Sequence, residues 1–193
     1  MNDKIKLLVN TLGSERVKLN EKLSHHTFSK IGGPAKYFYI ATNQNELQRV
    51  LNLAYQLDIP IFVLGNGTKF LTSAQGIKGL VVKNRTSQIK IGGVKGKVSQ
   101  KGLGIEEALV EVDSGVSLGK LNEFLKSQGL KEIINLNSLN ATIGGSLQLD
   151  PNLDQTIQKI KVWEQGEILE IDFIDLKRIR QVVLSVVLKI WTA

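Results

Sequence analysis

The 193-residue chain contains no cysteine, which excludes a disulfide, a thiol nucleophile and a thiolate metal site. Its only two histidines, His25 and His26, are adjacent, with no further histidine to complete a ligand set. A zinc or non-haem iron centre is therefore not expected, and no metal is assigned. No long hydrophobic run occurs: the most apolar stretch, residues 182–190, contains Lys189 and falls far short of the roughly 20 residues that span a bilayer. The opening Met1-Asn2-Asp3-Lys4-Ile5 carries no signal-peptide core. We therefore expect a cytoplasmic chain with no membrane partner. Internal repeats and low-complexity tracts are also missing. Basic residues outnumber acidic ones, 25 to 18, for a net charge of +7. The lysines, however, are scattered from Lys4 to Lys189, with no arginine-dense helix and no basic run interleaved with aromatics. Nucleic acid is not an expected partner; an anionic small ligand or a simply soluble surface fits the charge.

What is present is ordinary for a globular protein: 42% hydrophobic and 22% charged residues. A chain of this length makes one domain or two small ones, with a core that needs no covalent staple. Residues 4–12 form a short helix ending at Gly13, followed by a weak helical or extended lead-in to Asn20. Tyr37-Phe38-Tyr39-Ile40-Ala41 is a strand on its β-branched and aromatic content. Thr42 then opens a helix with Leu47, Val50, Leu51, Ala54 and Leu57 at helical spacing. Asp58-Ile59-Pro60 stops it, and Ile61-Phe62-Val63-Leu64 is the next strand. A strand-helix-strand unit of this kind favours parallel pairing.

Gly76-Ile77-Lys78-Gly79 reads as a turn, and residues 80–83 as a short strand. Between residues 88 and 112 alternating strands predict antiparallel pairing. Ser117 caps a helix over 118–128 that Gly129 ends. Strands are expected at 157–163, 168–173 and 182–190, the first two joined across Gln165-Gly166-Glu167. The fold class is α+β: a small α/β lobe over residues 1–82, then a mainly antiparallel lobe over 83–193. Trp163 and Trp191 are most simply packing residues.

Three Gly-bearing segments are candidates for a ligand site. The first, Gly65-Asn66-Gly67-Thr68-Lys69, directly follows a strand. The second is Ile31-Gly32-Gly33-Pro34-Ala35. The third is Asn140-Ala141-Thr142-Ile143-Gly144-Gly145-Ser146. Small residues let a backbone approach a ligand, and successive turn N–H groups form anion-binding nests. The obvious guest is a phosphate-bearing cofactor, held where the three turns converge between the lobes. The first segment lacks the three spaced glycines of a dinucleotide fingerprint. It also lacks the Gly-Lys-Ser/Thr ending of a nucleoside-triphosphate loop, since Phe70 follows Lys69. What remains is exposed N–H groups, the Thr68 hydroxyl and the Lys69 charge, with an ordinary tight turn as the alternative. Thr142 beside Ile143, Gly144 and Gly145 suits a loop presenting donors on one face. Asp113-Ser114-Gly115-Val116-Ser117 makes either close backbone contact with a ligand or a plain cap and turn. His25 and His26 offer a general base near neutral pH, but no carboxylate or nucleophile in the sequence completes a relay, which favours a structural role.

These residues resemble the UDP-N-acetylenolpyruvoylglucosamine reductase (UDP-N-acetylmuramate dehydrogenase) family, whose FAD-binding fold is shared with vanillyl-alcohol oxidase. The likeness runs in order over residues 19–149. It includes Leu23-Ser24-His25-His26-Thr27-Phe28-Ser29-Lys30-Ile31-Gly32-Gly33-Pro34-Ala35, Val63-Leu64-Gly65-Asn66-Gly67-Thr68-Lys69-Phe70-Leu71 and Gly115-Val116-Ser117-Leu118-Gly119-Lys120-Leu121. It implies FAD as cofactor, lined by Ile31, Gly32, Gly33, Gly65, Asn66, Gly67, Thr68, Lys69, Gly115, Thr142, Ile143, Gly144 and Gly145. The turn through Gly65 and Thr68 would lie against the pyrophosphate.

The departures are specific. Asn66 stands for a glycine and Lys69 for an asparagine of the family pattern. Ser138-Leu139-Asn140-Ala141 replaces Gly-Ile-Pro-Gly, and Asp150-Pro151-Asn152 replaces Asn-Ala-Gly. After residue 173, Phe173-Ile174-Asp175-Leu176-Lys177-Arg178-Ile179-Arg180-Gln181 leads almost directly to the last strand. The family's substrate domain and proton donor are expected to be absent. The resemblance thus implies an FAD-binding protein without the complete reductase activity, and no catalytic residue is assigned. Two alternatives stay open: an NADPH-dependent flavin oxidoreductase completed by a protein partner or acting on another small substrate, and a cofactor-free homologue serving as a binding protein.

Overall fold

The computed structural model describes residues 3–68, 70, 72–99, 102–133, 139–147, 153, 156–172 and 181–193. The chain divides into two compact units. One comprises Met1–Thr86 with Trp163–Glu167; the other comprises Ser87–Val162 with Ile168–Ala193.

The N-terminal unit is a four-stranded mixed sheet with helices. Its elements are α1 (Asp3–Leu12), β1 (Lys18–Lys22), β2 (Pro34–Ala41), α2 (Gln44–Gln56), β3 (Ile61–Leu64) and β4 (Ile77–Asn84), with a 3-10 turn at Leu23–His25. Strand order is β1-β2-β4-β3. β1 is antiparallel to β2, whereas β2 and β3 both run parallel to β4. The β2-α2-β3 crossover therefore makes a parallel pair only through β4, which inserts between the two strands.

Helix α2 begins at Gln44, two residues after Thr42. Asn43 is the cap, its side chain accepting from the Glu46 N–H at 3.0 Å, while Glu46 reaches back to the Thr42 N–H and hydroxyl at 2.8 and 2.9 Å. Reciprocal capping of this kind satisfies the orphan donors of a first helical turn. The helix packs on β2 and β4 through fully buried Leu47, Val50, Leu51 and Ala54, each leucine contributing about 1.5–3 kcal/mol by leaving water. A smaller cluster of Leu23, Ala35, Phe38, Leu64 and Val81 forms beneath the segment after β1.

Of the two alternatives for the lead-in to Asn20, the extended one holds: Lys18–Lys22 is a strand paired to β2. A second local reading is corrected. The expected turn Gly76-Ile77-Lys78-Gly79 lies earlier: Gly76 (φ +74°) closes a turn through Ala74 and Gln75 by donating to the Ser73 carbonyl, and Ile77 already belongs to β4. Pairing of Ala35 with Ile77 extends the strand where composition suggested a break.

The second unit carries the sheet β5-β6-β9-β7-β8, formed by β5 (Ile89–Ser99), β6 (Gly102–Asp113), β7 (Ile157–Glu164), β8 (Glu167–Asp172) and β9 (Val182–Trp191). β6 is antiparallel to both β5 and β9. Helices α3 (Leu118–Ser127) and α4 (Ile143–Ser146) complete it. The core joins Val110, Val112, Val186 and Leu188 to Leu121 and Leu125 of α3. β7 and β8 are joined by Gln165 and Gly166, with φ +50° and +94°, the pair of positive values a two-residue type I′ hairpin requires.

The tip of that hairpin belongs to the N-terminal unit, where the Trp163 indole N–H donates to Asn52 and its ring meets Tyr55 edge-on. Trp163 is thus a packing residue, but Trp191 is not: it is 44% exposed, with the Lys189 ammonium 5.9 Å from its ring centre. Its place opposite Glu107 in the β6/β9 register puts it on the outer face, opposite to that of Ile190. The expected bridge over residues 173–180, together with Lys69, Leu71, Ser138, Asp150, Pro151 and Asn152, lies outside the described residues.

Candidate functional site

In the N-terminal unit, two of the Gly-bearing segments are brought together. β3 ends at Leu64 and the chain turns through residues 65–68. Gly67 has φ +66°, and a Cβ there would stand 2.8 Å from the Thr27 Cα and 3.0 Å from the His26 carbonyl oxygen. The turn therefore lies flush on the segment that follows the 3-10 turn. The Phe28 N–H donates to the Gly67 carbonyl at 3.1 Å. The left-handed residue is Gly67, not Asn66, so the asparagine occupies a conformation open to any side chain.

The same segment continues into the Ile31-Gly32-Gly33 run. Buried Thr27 donates its hydroxyl to the Ile31 carbonyl at 2.9 Å, leaving the Ile31 side chain exposed. The Gly33 N–H donates to Ser73 and its carbonyl accepts from Leu23, at 3.2 and 3.0 Å. A Cβ at Gly33 would overlap the Ala74 carbonyl and the Gly76 amide. Packing alone thus demands glycine at residue 33.

Behind the turn lies a residue that the sequence reading passed over as part of a strand. Lys83, in register with Leu64, is 7% exposed. Its ammonium donates to the Gly65 carbonyl at 2.6 Å and to the His26 carbonyl at 3.3 Å, tying the turn to the 26–33 segment. Burial first, and the nearby Arg85 guanidinium second, bring its pKa down to about 8. A lysine ending the apolar run Leu80-Val81-Val82 of an interior strand was the signal available in the sequence.

His26 is structural. Its Nε2 lies 2.8 Å from Glu21 Oε1 and its ring stacks on Phe38, centres 4.3 Å apart. The hydrogen bond with His26 is the main cause holding the Glu21 carboxyl below its ordinary range. His25 is exposed.

In the second unit, the turn after β6 and the Thr142 segment form another assembly. The Asp113 carboxylate is buried and accepts from the Gln88 N–H at 2.8 Å. Gly115 sits in the turn that Ser117 closes by capping α3. Ser117 bridges Thr142 in antiparallel fashion, the Ile143 N–H donates to Val116 and the Gly144 N–H to Ser114, at 2.8 and 2.9 Å. The Gly145 N–H is taken by the Thr142 hydroxyl at 3.3 Å.

This corrects the expectation of a donor-presenting loop. The segment is a single capped helical turn, and the N–H groups of residues 143–145 are engaged within the protein. Its glycines serve contact: a Cβ on Gly144 would come 3.0 Å from that of Ser114. The candidate residues thus form two assemblies, Ile31, Gly32, Gly33, Gly65, Asn66, Gly67 and Thr68 in one unit, Gly115, Thr142, Ile143, Gly144 and Gly145 in the other.

Among the described residues no cluster of three or more His, Cys, Asp or Glu could hold a metal, and no helix is long and apolar enough to cross a membrane. A close-packed turn backed by a buried ammonium suits an anionic ligand.

Comparison with known proteins gives that ligand a name. Residues 35–148 match the family model described as "FAD binding domain". A UDP-N-acetylenolpyruvoylglucosamine reductase of Clostridium tetani is 30% identical over 88% of the chain and 53% of its own length; one from Symbiobacterium thermophilum is 29% identical over 70% and 40%. The chain spans about half the length of the curated relatives it matches. Among solved structures, UDP-N-acetylenolpyruvylglucosamine reductase from Thermus caldophilus superposes with a TM-score of 0.68 at 19% identity, covering 91% of this chain and 62% of that one. A p-cresol methylhydroxylase gives 0.67 at 12%, covering 100% and 44%. The fold is the FAD-binding fold of the vanillyl-alcohol oxidase type. The family match spans more than half of the chain, which belongs to the FAD binding domain family.

Proposed function

We propose that this member of the FAD binding domain family is a flavoprotein whose FAD-binding residues are Ile31, Gly32, Gly33, Gly65, Asn66, Gly67, Thr68, Gly115, Thr142, Ile143, Gly144 and Gly145. Lys69 joins the set on sequence likeness. The pyrophosphate lies against the turn at residues 65–68. The observation that carries this reading is the construction of that turn. Backbone walls it so closely that Gly67 has no room for a Cβ, and a buried lysine backs it. Such a cradle fits a phosphate group, whose charge and acceptors are met by turn donors and a nearby cation. Bound FAD supplies hydride chemistry; the chain's part is to position the flavin and set its electrostatic surroundings.

The relatives named as reductases suggest a related activity, which these 193 residues do not complete alone. Reducing an enol ether requires an acid at the carbon next to the hydride acceptor, within about 3 Å and away from water. Cysteine is missing from the chain, and His26, one of only two imidazoles, is engaged by Glu21. Support also comes from the short interval between β8 and β9, residues 173–181, which is too brief for a separate substrate-binding core. The chain acts in the cytoplasm on this reading.

Titration of purified apoprotein with FAD, followed by visible absorption, tests the first claim; no binding at micromolar protein refutes it. NADPH oxidation by the loaded protein, with and without the enolpyruvyl UDP-sugar and with direct detection of the lactyl product, tests the second. Flavin binding without substrate-dependent turnover is expected. Turnover at an ordinary enzymatic rate overturns the claim of incompleteness, and turnover that appears only on adding a cell fraction identifies a completing partner.

A further inference from the structure

Lys83 presents an electrostatic problem that the N-terminal unit does not solve by itself. Its ammonium is buried between two chain segments and, among the described residues, donates only to the carbonyls of Gly65 and His26. Among the described residues it has no carboxylate within ion-pair distance. A buried cation without a counter-charge is costly, and proteins ordinarily pair it or let it neutralise. The neighbours do not help. β2 and β3 flank Lys83 with Ile40 and Leu64, and Arg85 on its own strand adds positive charge. In the facing segment His26 is bound to Glu21, while His25 and Lys30 are exposed.

We propose that Lys83 is the positioning residue of the 65–68 turn, and that its missing counter-charge is the pyrophosphate dianion of the bound cofactor. This rests on the FAD reading above and deepens it. The lysine does not reach the ligand through a donor of its own; it pins the Gly65 carbonyl and the His26 segment, holding the turn's opposite face toward the anion. Because it acts as a charge, its protonation and anion binding are coupled. An anion at the turn favours the ammonium, and the ammonium favours the anion.

The coupling has a definite sign. In the free protein burial depresses the Lys83 pKa to about 8, so the cation is progressively lost above that pH. Cofactor binding then requires a proton to be taken up. FAD affinity should fall above about pH 8, by up to roughly tenfold per pH unit if one proton is fully coupled.

The test is FAD affinity from pH 7 to 10, with calorimetry near pH 9 in two buffers of different ionisation enthalpy to count protons. Wild type is expected to lose affinity with rising pH and to take up protons on binding. Lys83→Met should bind about 10–100-fold more weakly at pH 7, the scale of losing a charged hydrogen-bonding group, with a flat pH profile and no proton uptake. Lys83→Arg keeps a charge that does not titrate, and should restore affinity without the pH dependence. If the substitutions prevent folding, the wild-type proton count still decides. Wild type that binds FAD equally at pH 7 and 10 with no proton uptake overturns the assignment while leaving the flavoprotein reading intact. Failure to bind FAD at any pH removes both.

Discussion

Replacing Gly67 by valine tests the turn most directly, because two separate penalties converge on that one Cα. The residue has φ +66°, a conformation that costs a non-glycine residue about 1–2 kcal/mol, with a β-branched side chain at the upper end. The new Cβ would also stand 2.8 Å from the Thr27 Cα and 3.0 Å from the His26 oxygen. Both are backbone atoms, so no rotamer change relieves the contact. The 26–28 segment must withdraw, stretching the Phe28–Gly67 hydrogen bond of 3.1 Å, worth about 0.5–1.5 kcal/mol net. The sum is about 2–3 kcal/mol. If that strain falls on the binding-competent turn, FAD affinity drops roughly 30–150-fold. The assay is flavin titration beside thermal unfolding and circular dichroism. Gly129→Ala is the control, since Gly129 shares φ +66° but has nothing within 4 Å of its would-be Cβ. It should cost about 1 kcal/mol of stability and leave FAD binding unchanged. Wild-type affinity and stability in Gly67→Val would refute the argument for the turn.

Gly76→Ala should prevent stable folding of the N-terminal unit, because its Cβ would fall on the Pro34 carbonyl at a φ of +74°; soluble, cooperatively unfolding protein would contradict this. Asn52→Leu leaves the buried Trp163 indole N–H without its acceptor, and should cost about 1–3 kcal/mol, read from denaturant unfolding by tryptophan fluorescence. The Glu21 carboxyl, held below its ordinary value of 4.5 chiefly by the His26 hydrogen bond, contributes stability above about that pH that is lost as pH falls through its folded value. Thermal unfolding from pH 3 to 6 should show a smaller acid loss in Glu21→Gln. On the stability of the apoprotein Lys83 acts with the same sign as Glu21, opposite to its effect on FAD affinity. Between about pH 8 and its ordinary 10.5, the unfolded chain binds more protons, so this residue's contribution to stability rises with pH. Lys83→Met should lack that rise in denaturant titrations.

Local chemistry made much of this protein legible in its sequence. The apolar spacing of Leu47, Val50, Leu51 and Ala54 marks α2 because one buried helical face needs it. Ser117 and Gly129 bracket α3 because a cap and a left-handed glycine satisfy helix ends. The alternation through β5 and β6 yields antiparallel pairing, and the ordered Gly motifs carry the family. Three things needed tertiary structure. The insertion of β4 between β2 and β3 depends on hydrogen bonding between strands 13 or more residues apart in sequence. Thr142 and the glycines after it become a helical turn because Ser114, Val116 and Ser117 supply partners from another segment. Lys83 gains its significance from residues 18 and 57 positions away, whose carbonyls surround its ammonium. Periodicity and turn composition report what a residue's near neighbours in sequence require of it. A buried charge is governed instead by the segments that fold over it, and only the assembled sheet brings those together.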